Sequence, residues 1–169
     1  MKVYNLDASA IINGFYAKNA RNIMVSSAVG EIKDLNTEIR LNACIDEGII
    51  IIEDVDKDDL SQLDETLLKS GDITRLSDTD KDIIALSLKY ERLGYDVICV
   101  TDDYSMQNVL KLLNLKYRSV STKGITNTIQ WIIQCKGCKK EYPADYKYED
   151  CEICGSPIIR KRSNAHRNY

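Results

Sequence analysis

Histidine occurs once in this chain of 169 residues, as His166 near the last residue, and glycine only eight times. The first scarcity removes Ser-His-Asp and Cys-His catalysis from the body of the chain, because both need an imidazole beside the nucleophile. The second shows after the first apolar stretch. No Gly-rich turn follows it, so neither a phosphate-cradling P-loop nor a dinucleotide fingerprint is present. Asp7-Ala8-Ser9 also lacks the second aspartate that phosphoryl-aspartate chemistry uses. No apolar run is long enough to cross a bilayer, and Met1-Lys2-Val3-Tyr4-Asn5 does not read as a secretory leader. The expectation is a soluble, cytoplasmic chain.

Cysteine, by contrast, is patterned. Cys135-Lys136-Gly137-Cys138 and Cys151-Glu152-Ile153-Cys154 form two Cys-x-x-Cys knuckles with twelve residues between them. Each knuckle lets two thiolates converge, and the pair completes a tetrahedral S₄ site for structural zinc. Gly137 and Gly155 suit such turns, where small residues relieve crowding and can take positive φ. Unrelated surface thiols are the bland alternative. Disulfides are disfavoured without a leader, and the remaining Cys44 and Cys99 sit in apolar runs. A closed four-thiolate site has no open position for substrate, so function must come from what the ribbon is attached to.

The length fits one domain of ordinary size plus a small module that metal must hold together. Charge is divided unevenly. Residues 1–115 carry 12 basic and 21 acidic side chains, a net −9, whereas residues 116–169 carry 11 and 5, a net +6. An acidic body with a basic end suggests that the tail holds a polyanion while the body gathers metal; solvated acidic helices give the same count.

Along the chain, Lys2–Leu6 reads as a strand, Asp7 as a turn, and the next residues as a short helix stopping near Gly14. Residues 16–26 are less regular, with no strand assigned, and Ala28–Leu35 reads as a helix with Glu31 in its first turns. A helix over 37–46 precedes Gly48–Glu53, whose four consecutive isoleucines suit a strand buried on both faces. An acidic helix over 57–69 and a loop at Ser70-Gly71-Asp72 follow. Ser77-Asp78-Thr79-Asp80 opens a helix carrying Ile83, Ile84, Leu86, Leu88 and Leu93 at helical spacing. Asp96–Thr101 is a buried strand, 104–113 a helix, and Leu115–Val120 a last strand. Strands alternating with helices predict an α/β domain around a parallel sheet. In such sheets the working crevice lies outside the strands' carboxyl ends.

That rule selects Asp7 and the pair Asp102-Asp103, with Glu31 and Asp80 near helix starts. If these acids converge, mutual repulsion requires bound cations or protons. Carboxylate oxygens suit Mg²⁺ or Mn²⁺, which can activate water and neutralise charge at a phosphodiester without histidine. Each acid has a plainer reading. Asp7, Asp80 and Asp102 can cap helices, Glu31 can be solvated, and the acids from Glu53 to Glu65 can be an exposed helix entry.

The whole pattern resembles a PIN domain. The resemblance rests on Leu6-Asp7-Ala8-Ser9-Ala10, Val29-Gly30-Glu31-Ile32, Leu76–Leu86 around Asp80, and Val100-Thr101-Asp102-Asp103-Tyr104. With the cysteine ribbon, Tyr142-Pro143, and Cys154-Gly155-Ser156-Pro157 before a basic patch, nearly the whole chain is similar to the short archaeal Nob-type ribosome-assembly endonucleases. Val29-Gly30 stands where that pattern often has a proline before the glutamate. The resemblance implies a PIN-like three-layer domain over 1–125, a linker at 126–130, a zinc ribbon over 131–160 and a basic tail over 161–169. It implies a Mg²⁺- or Mn²⁺-dependent endoribonuclease that trims the 3′ end of precursor small-subunit ribosomal RNA. Its partners would be that RNA, the pre-ribosomal small subunit and an assembly-factor protein. Asp7, Glu31, Asp80 and Asp102 would bind the catalytic metal, and Asp103 would join them or support them from behind. Asp82 falls on a different face from Asp80. Ser9 and Thr101 would orient carboxylates or water, or cap their local turns.

Lys136, Lys139 and Lys140 on the first knuckle, and Arg160-Lys161-Arg162 after the second, suit phosphate contacts that respond to salt. Tyr142, Tyr146 and Tyr148 can stack on unpaired bases or cover the ribbon's own strands. Two other readings remain. One is a toxin-like PIN ribonuclease acting on other RNAs. The other is a non-catalytic zinc-ribbon assembly factor whose acids are only caps.

Overall fold

The computed structural model describes residues 1–70, 76–124, 131–143 and 145–162. In chain order the first unit contains β1 (Lys2–Leu6), α1 (Ala8–Ile12), β2 (Arg21–Met24), α2 (Ser26–Gly30), α3 (Leu35–Asp46), β3 (Ile50–Ile52) and α4 (Lys57–Ser70). It continues with α5 (Asp78–Arg92), β4 (Asp96–Val100), α6 (Tyr104–Leu112) and β5 (Lys116–Arg118). Its five strands form one parallel sheet in the order β3-β2-β1-β4-β5. Side chains alternate across β1, so Asn5 donates to Ile83 O on α5 at 2.7 Å while Tyr4 faces the other way onto Phe15. Covered on both faces, the sheet is the middle layer of an α/β fold.

α5 forms because its first turn is closed by a capping box. The Ser77 hydroxyl accepts the Asp80 N–H at 3.1 Å, and the Asp80 carboxylate accepts the Ser77 N–H at 2.8 Å. Ile83, Ile84 and Leu86 then bury completely, each contributing about 1.5–3 kcal/mol of apolar burial.

Three expectations fail here. β2 lies inside the stretch read as less regular; its Arg21-Asn22 start breaks any apolar pattern. Asn22 is buried nonetheless, because its side chain satisfies Ala17 N–H at 2.8 Å and Ile49 O at 3.1 Å. The isoleucine run is an edge strand, with Ile51 39% exposed, rather than one buried on both faces. Glu31 stands at the C-terminal cap of α2, not in a helix's first turns. The expected loop at Gly71-Asp72 lies outside the described residues, as does the 126–130 linker.

The second unit is a three-stranded antiparallel sheet, β6 (Trp131–Cys135), β7 (Glu141–Tyr142) and β8 (Ile158–Arg162), ordered β7-β6-β8. β8 includes Lys161 and Arg162, so the first two residues assigned to the tail belong to the ribbon's sheet. Its core of described residues is Cys135, Tyr142 and Cys151, packed by Ile133, Tyr146 and Ile158. So small a core cannot supply a fold's stability alone.

Candidate active site and cysteine centre

β1 and β4 pair in parallel with Leu6 opposite Val100, which brings Asp7 and Thr101 level at the carboxyl end of the sheet. Asp7 is only 8% exposed there. Its Oδ1 accepts the Ala8 N–H at 2.6 Å, and its Oδ2 accepts the hydroxyls of Ser9 at 2.8 Å and Thr101 at 2.9 Å. Burial pushes the Asp7 carboxyl above the ordinary range, these hydrogen bonds pull against it, and the charge of Glu31 adds to the rise. Asp80 is raised as well, first by burial, with the charges of Asp103 and Asp7 adding while the Ser77 bonds oppose. Asp103 caps α6, its Oδ1 accepting the N–H groups of Ser105 and Met106, which leaves Oδ2 without a hydrogen bond among the described residues.

Asp7, Glu31, Asp80 and Asp103 thus share one electrostatic neighbourhood, and among the described residues no ion pair reaches any of them. Capping and clustering are not alternatives for Asp7, Asp80 and Asp103, which do both. Uncompensated carboxylate oxygens, with Asp7 and Asp103 just past strand ends, Glu31 at the end of α2 and Asp80 at the start of α5, are the donor type that suits a hard divalent cation.

Asp102 departs from the sequence reading. Its carboxylate is turned to the segment after β5, accepting N–H groups of Val120 at 2.9 Å and Ser121 at 3.1 Å, and the Ser121 hydroxyl at 2.7 Å. Burial raises this carboxyl, but the Ser121 and neighbouring backbone bonds outweigh it and hold it below the usual value.

Other acids have jobs that spacing did not reveal. Asp82 accepts the Ser27 hydroxyl at 2.7 Å, and Asp54 accepts Ser26 N–H at 2.9 Å and its hydroxyl at 2.7 Å. Both tie down α2, the helix that ends at Glu31. Glu53 accepts the Tyr90 hydroxyl at 2.6 Å, and buried Asp59 pairs with Arg92. The stretch from Glu53 to Asp59 is therefore not simply an exposed helix entry.

In the ribbon, the sulfurs of Cys135, Cys138, Cys151 and Cys154 all lie within 4.8 Å of one another. Cys135–Cys154 at 3.4 Å and Cys138–Cys151 at 3.5 Å are too long for disulfides and close to the spacing of about 3.8 Å that tetrahedral zinc thiolates need. Backbone N–H groups of Gly137 and Ile153 donate to the first sulfur of each knuckle at 3.3 and 3.4 Å, and Tyr142 Oη lies 3.0 Å from Cys151 Sγ. The donor set fits zinc. The two glycines differ in purpose. Gly155 has φ +66°, but its counterpart in the first knuckle is Lys139 at φ +65°, not Gly137. Gly137 is needed for space: a Cβ there would come within 2.9 Å of Ser156 Cβ and 3.3 Å of Cys154 Sγ.

The basic residues divide. Strand alternation places Arg160 and Arg162 on the Trp131 face, their guanidinium carbons 5.1 and 6.0 Å from its ring, and Lys161 on the opposite face. Lys140 pairs with Glu152 and lies 5.1 Å from the Tyr142 ring, and Lys139 donates to Lys136 O at 2.7 Å. Tyr142, 9% exposed, is core; Tyr146 stacks on it at 4.1 Å; Tyr148 is 74% exposed.

A parallel sheet with an acidic carboxyl edge, followed by a two-knuckle cysteine module, defines a PIN-type nuclease domain carrying a zinc-ribbon-like appendage. The family model described as the PIN domain of ribonuclease matches residues 5–90. The endoribonuclease Nob1 of Methanothermobacter thermautotrophicus is 44% identical over 163 residues, 96% of this chain and 93% of its own. Nob1 of Methanocaldococcus jannaschii is 36% identical over 95% of this chain and 78% of its own. Ribonuclease VapC1 of Thermoplasma acidophilum is 38% identical over 94% of this chain and 77% of its own. The chain belongs to the archaeal Nob1 endoribonuclease family.

Proposed function

We propose that this chain is a Mg²⁺- or Mn²⁺-dependent endoribonuclease that matures the 3′ end of precursor small-subunit rRNA in the cytoplasm. The pre-ribosomal small subunit and an assembly-factor protein are its proposed partners. One observation carries the metal dependence. Burial pushes Asp7 and Asp80 upward, the charge of Glu31 adds at Asp7 and those of Asp103 and Asp7 add at Asp80, and among the described residues no basic side chain pairs with either. Membership in the Nob1 family supports the RNA substrate.

In this reading Asp7, Glu31, Asp80 and Asp103 hold the catalytic metal. Asp103 takes the place that the sequence resemblance gave to Asp102. When bound, Mg²⁺ or Mn²⁺ supplies an activated water and neutralises charge on the phosphodiester, in one or two sites. Ser9 and Thr101 fix the Asp7 carboxylate by their hydroxyls. Asp80 is held to the helix start by Ser77. Cys135, Cys138, Cys151 and Cys154 hold structural zinc. Lys136, Lys139, Arg160, Lys161 and Arg162 grip RNA phosphates, with Lys140 committed to Glu152. No helix among the described residues is long and apolar enough to cross a membrane.

The test uses a short RNA spanning the small-subunit rRNA 3′ end, incubated with Mn²⁺, without divalent ion, and with Asp7→Asn. Discrete cleavage needing both Mn²⁺ and Asp7 supports the nuclease. RNA binding without cleavage supports a non-catalytic assembly factor. The VapC1 relative keeps a second reading in view: equal cutting of unrelated RNAs points to a general ribonuclease.

A further inference from the structure

The proposed metal site leaves Asp102 unused, yet its carboxylate is saturated. Oδ1 accepts the N–H groups of Val120 at 2.9 Å, Ser121 at 3.2 Å and Thr122 at 3.3 Å, and the Thr122 hydroxyl at 3.3 Å. Oδ2 accepts Ser121 N–H at 3.1 Å, the Ser121 hydroxyl at 2.7 Å and Asn13 Nδ2 at 3.3 Å. A carboxylate offers about four lone-pair sites, so these donors fill it.

The same loop is gripped from its other side. Fully buried Gln107 donates Nε2 to Thr101 O at 2.9 Å and to Ser119 Oγ at 3.0 Å. Gly124, at φ +69°, sits so close that a Cβ would come within 2.9 Å of Ser119 Oγ and 3.5 Å of Gln107 Oε1. Residues 119–124 are thereby fixed beside the strand end that presents Asp103. Lys123 is exposed in this loop and has no ion pair among the described residues.

An RNA backbone that approaches four clustered carboxylates is repelled by them. A cation on the rim offsets that repulsion, and it does so best from a loop already ordered, because ordering a loop on binding costs affinity. We infer that Asp102 is a positioning residue, clasping loop 119–124 against the crevice so that Lys123 meets an RNA phosphate at the rim of the active site. This inference rests on the RNA reading of the site.

The experiment is a double-mutant cycle on RNA affinity, measured with zinc-loaded protein and no Mg²⁺ or Mn²⁺, so turnover is not required. Lys123→Ala raises Kd about fivefold and flattens the dependence of log K on log salt by about 0.7. Asp102→Asn shows a similar loss and faster amide exchange at Val120, Ser121 and Thr122. It keeps the Mn²⁺ affinity that Asp103→Asn loses. Lys123→Ala then adds nothing in the Asp102→Asn background, because the two residues act as one unit. Gly124→Ala, which loosens the loop with Asp102 intact, gives the same affinity loss and guards against misfolding of the first variant. Additive losses, unchanged affinity in Lys123→Ala, or Mn²⁺ binding lost in Asp102→Asn each overturn the inference. A wild-type protein that binds RNA yet cuts nothing sinks the nuclease and leaves the clasp readable. One that binds no RNA sinks both.

Discussion

Thr101 and Asp7 lie 94 residues apart, yet the buried Thr101 hydroxyl donates to Asp7 Oδ2 at 2.9 Å. Thr101 Oγ1 also accepts the Asp103 N–H at 3.1 Å, so the Thr101 side chain positions both acids. Parallel pairing of β1 with β4 makes this possible, since it levels the ends of both strands. Thr101→Val keeps the shape and removes the hydroxyl. The Thr101 hydrogen bond favours the ionised Asp7 carboxylate and holds back the rise that burial causes. Without it the Asp7 carboxyl should rise further, and the acid limb of Mn²⁺ binding should move to higher pH. An unchanged pH profile by calorimetric titration rules out this role for Thr101.

Stability should respond to the same cluster with a definite sign. Asp7 and Asp80 are both raised above their unfolded value of 3.8, so the folded state holds their protons more tightly than the unfolded chain. That contribution is complete below the unfolded value and is lost as pH rises through the raised one. At neutral pH, without divalent metal, the ionised acids weigh against folding. Asp7→Asn or Asp80→Asn should raise the Tm of the Mn²⁺-free protein at pH 7 by a few degrees, and the gain should vanish in acid. Added Mn²⁺ should stabilise the wild type and not these variants. A fall in Tm at neutral pH, followed by helix circular dichroism, would instead make the acids structural.

What sequence could show, and could not, follows from which interactions are local. The capping box at Ser77 and Asp80 is written within four residues, and the α5 helix starts there. The cysteine knuckles are equally local. The choice between Asp102 and Asp103 is not. Adjacent residues at a strand end point in different directions, and only the loop at 120–122, delivered by a separate strand, decides which carboxylate stays available. Ile51 is 39% exposed while Ile50 beside it is 2% exposed, so the edge strand β3 buries one face only, which an unbroken apolar run does not reveal. Asp54 and Asp82 look like ordinary surface acids until α2 is placed between them.

Zinc removal should separate the two units. The single tryptophan, Trp131, lies in β6 beside Arg160 and Arg162, so its emission reports on the ribbon alone. A strong chelator should change that emission while the helical signal of the α/β domain persists, because structural zinc supplies the folding free energy of so small a core. Gly137→Ala should release zinc at about tenfold lower chelator, since its Cβ crowds Ser156 and Cys154. Lys139→Gly should do the reverse, because Lys139 holds φ +65° at a cost of about 1 kcal/mol that glycine does not incur. Equal chelator sensitivity in all three proteins would contradict this account of the knuckles.

The three ribbon tyrosines should part company on substitution. Tyr142 packs against the cysteine core with its hydroxyl 3.0 Å from Cys151 Sγ, so Tyr142→Ala should unfold the ribbon and lose zinc. Tyr148 is 74% exposed and meets the Tyr146 ring edge-on at 5.4 Å, so Tyr148→Ala should leave the Trp131 signal and zinc content as they were. If Tyr148 stacks on an unpaired base, its loss should weaken RNA binding by about 1–3 kcal/mol with the salt slope unchanged, because stacking releases no counterions. Arg162→Ala should show the opposite signature, a flatter slope, since a guanidinium acts on phosphate. Affinity for the same RNA measured across a salt series distinguishes the two. If Tyr148→Ala binds RNA as tightly as wild type at every salt concentration, the exposed ring is only a cover for Tyr146.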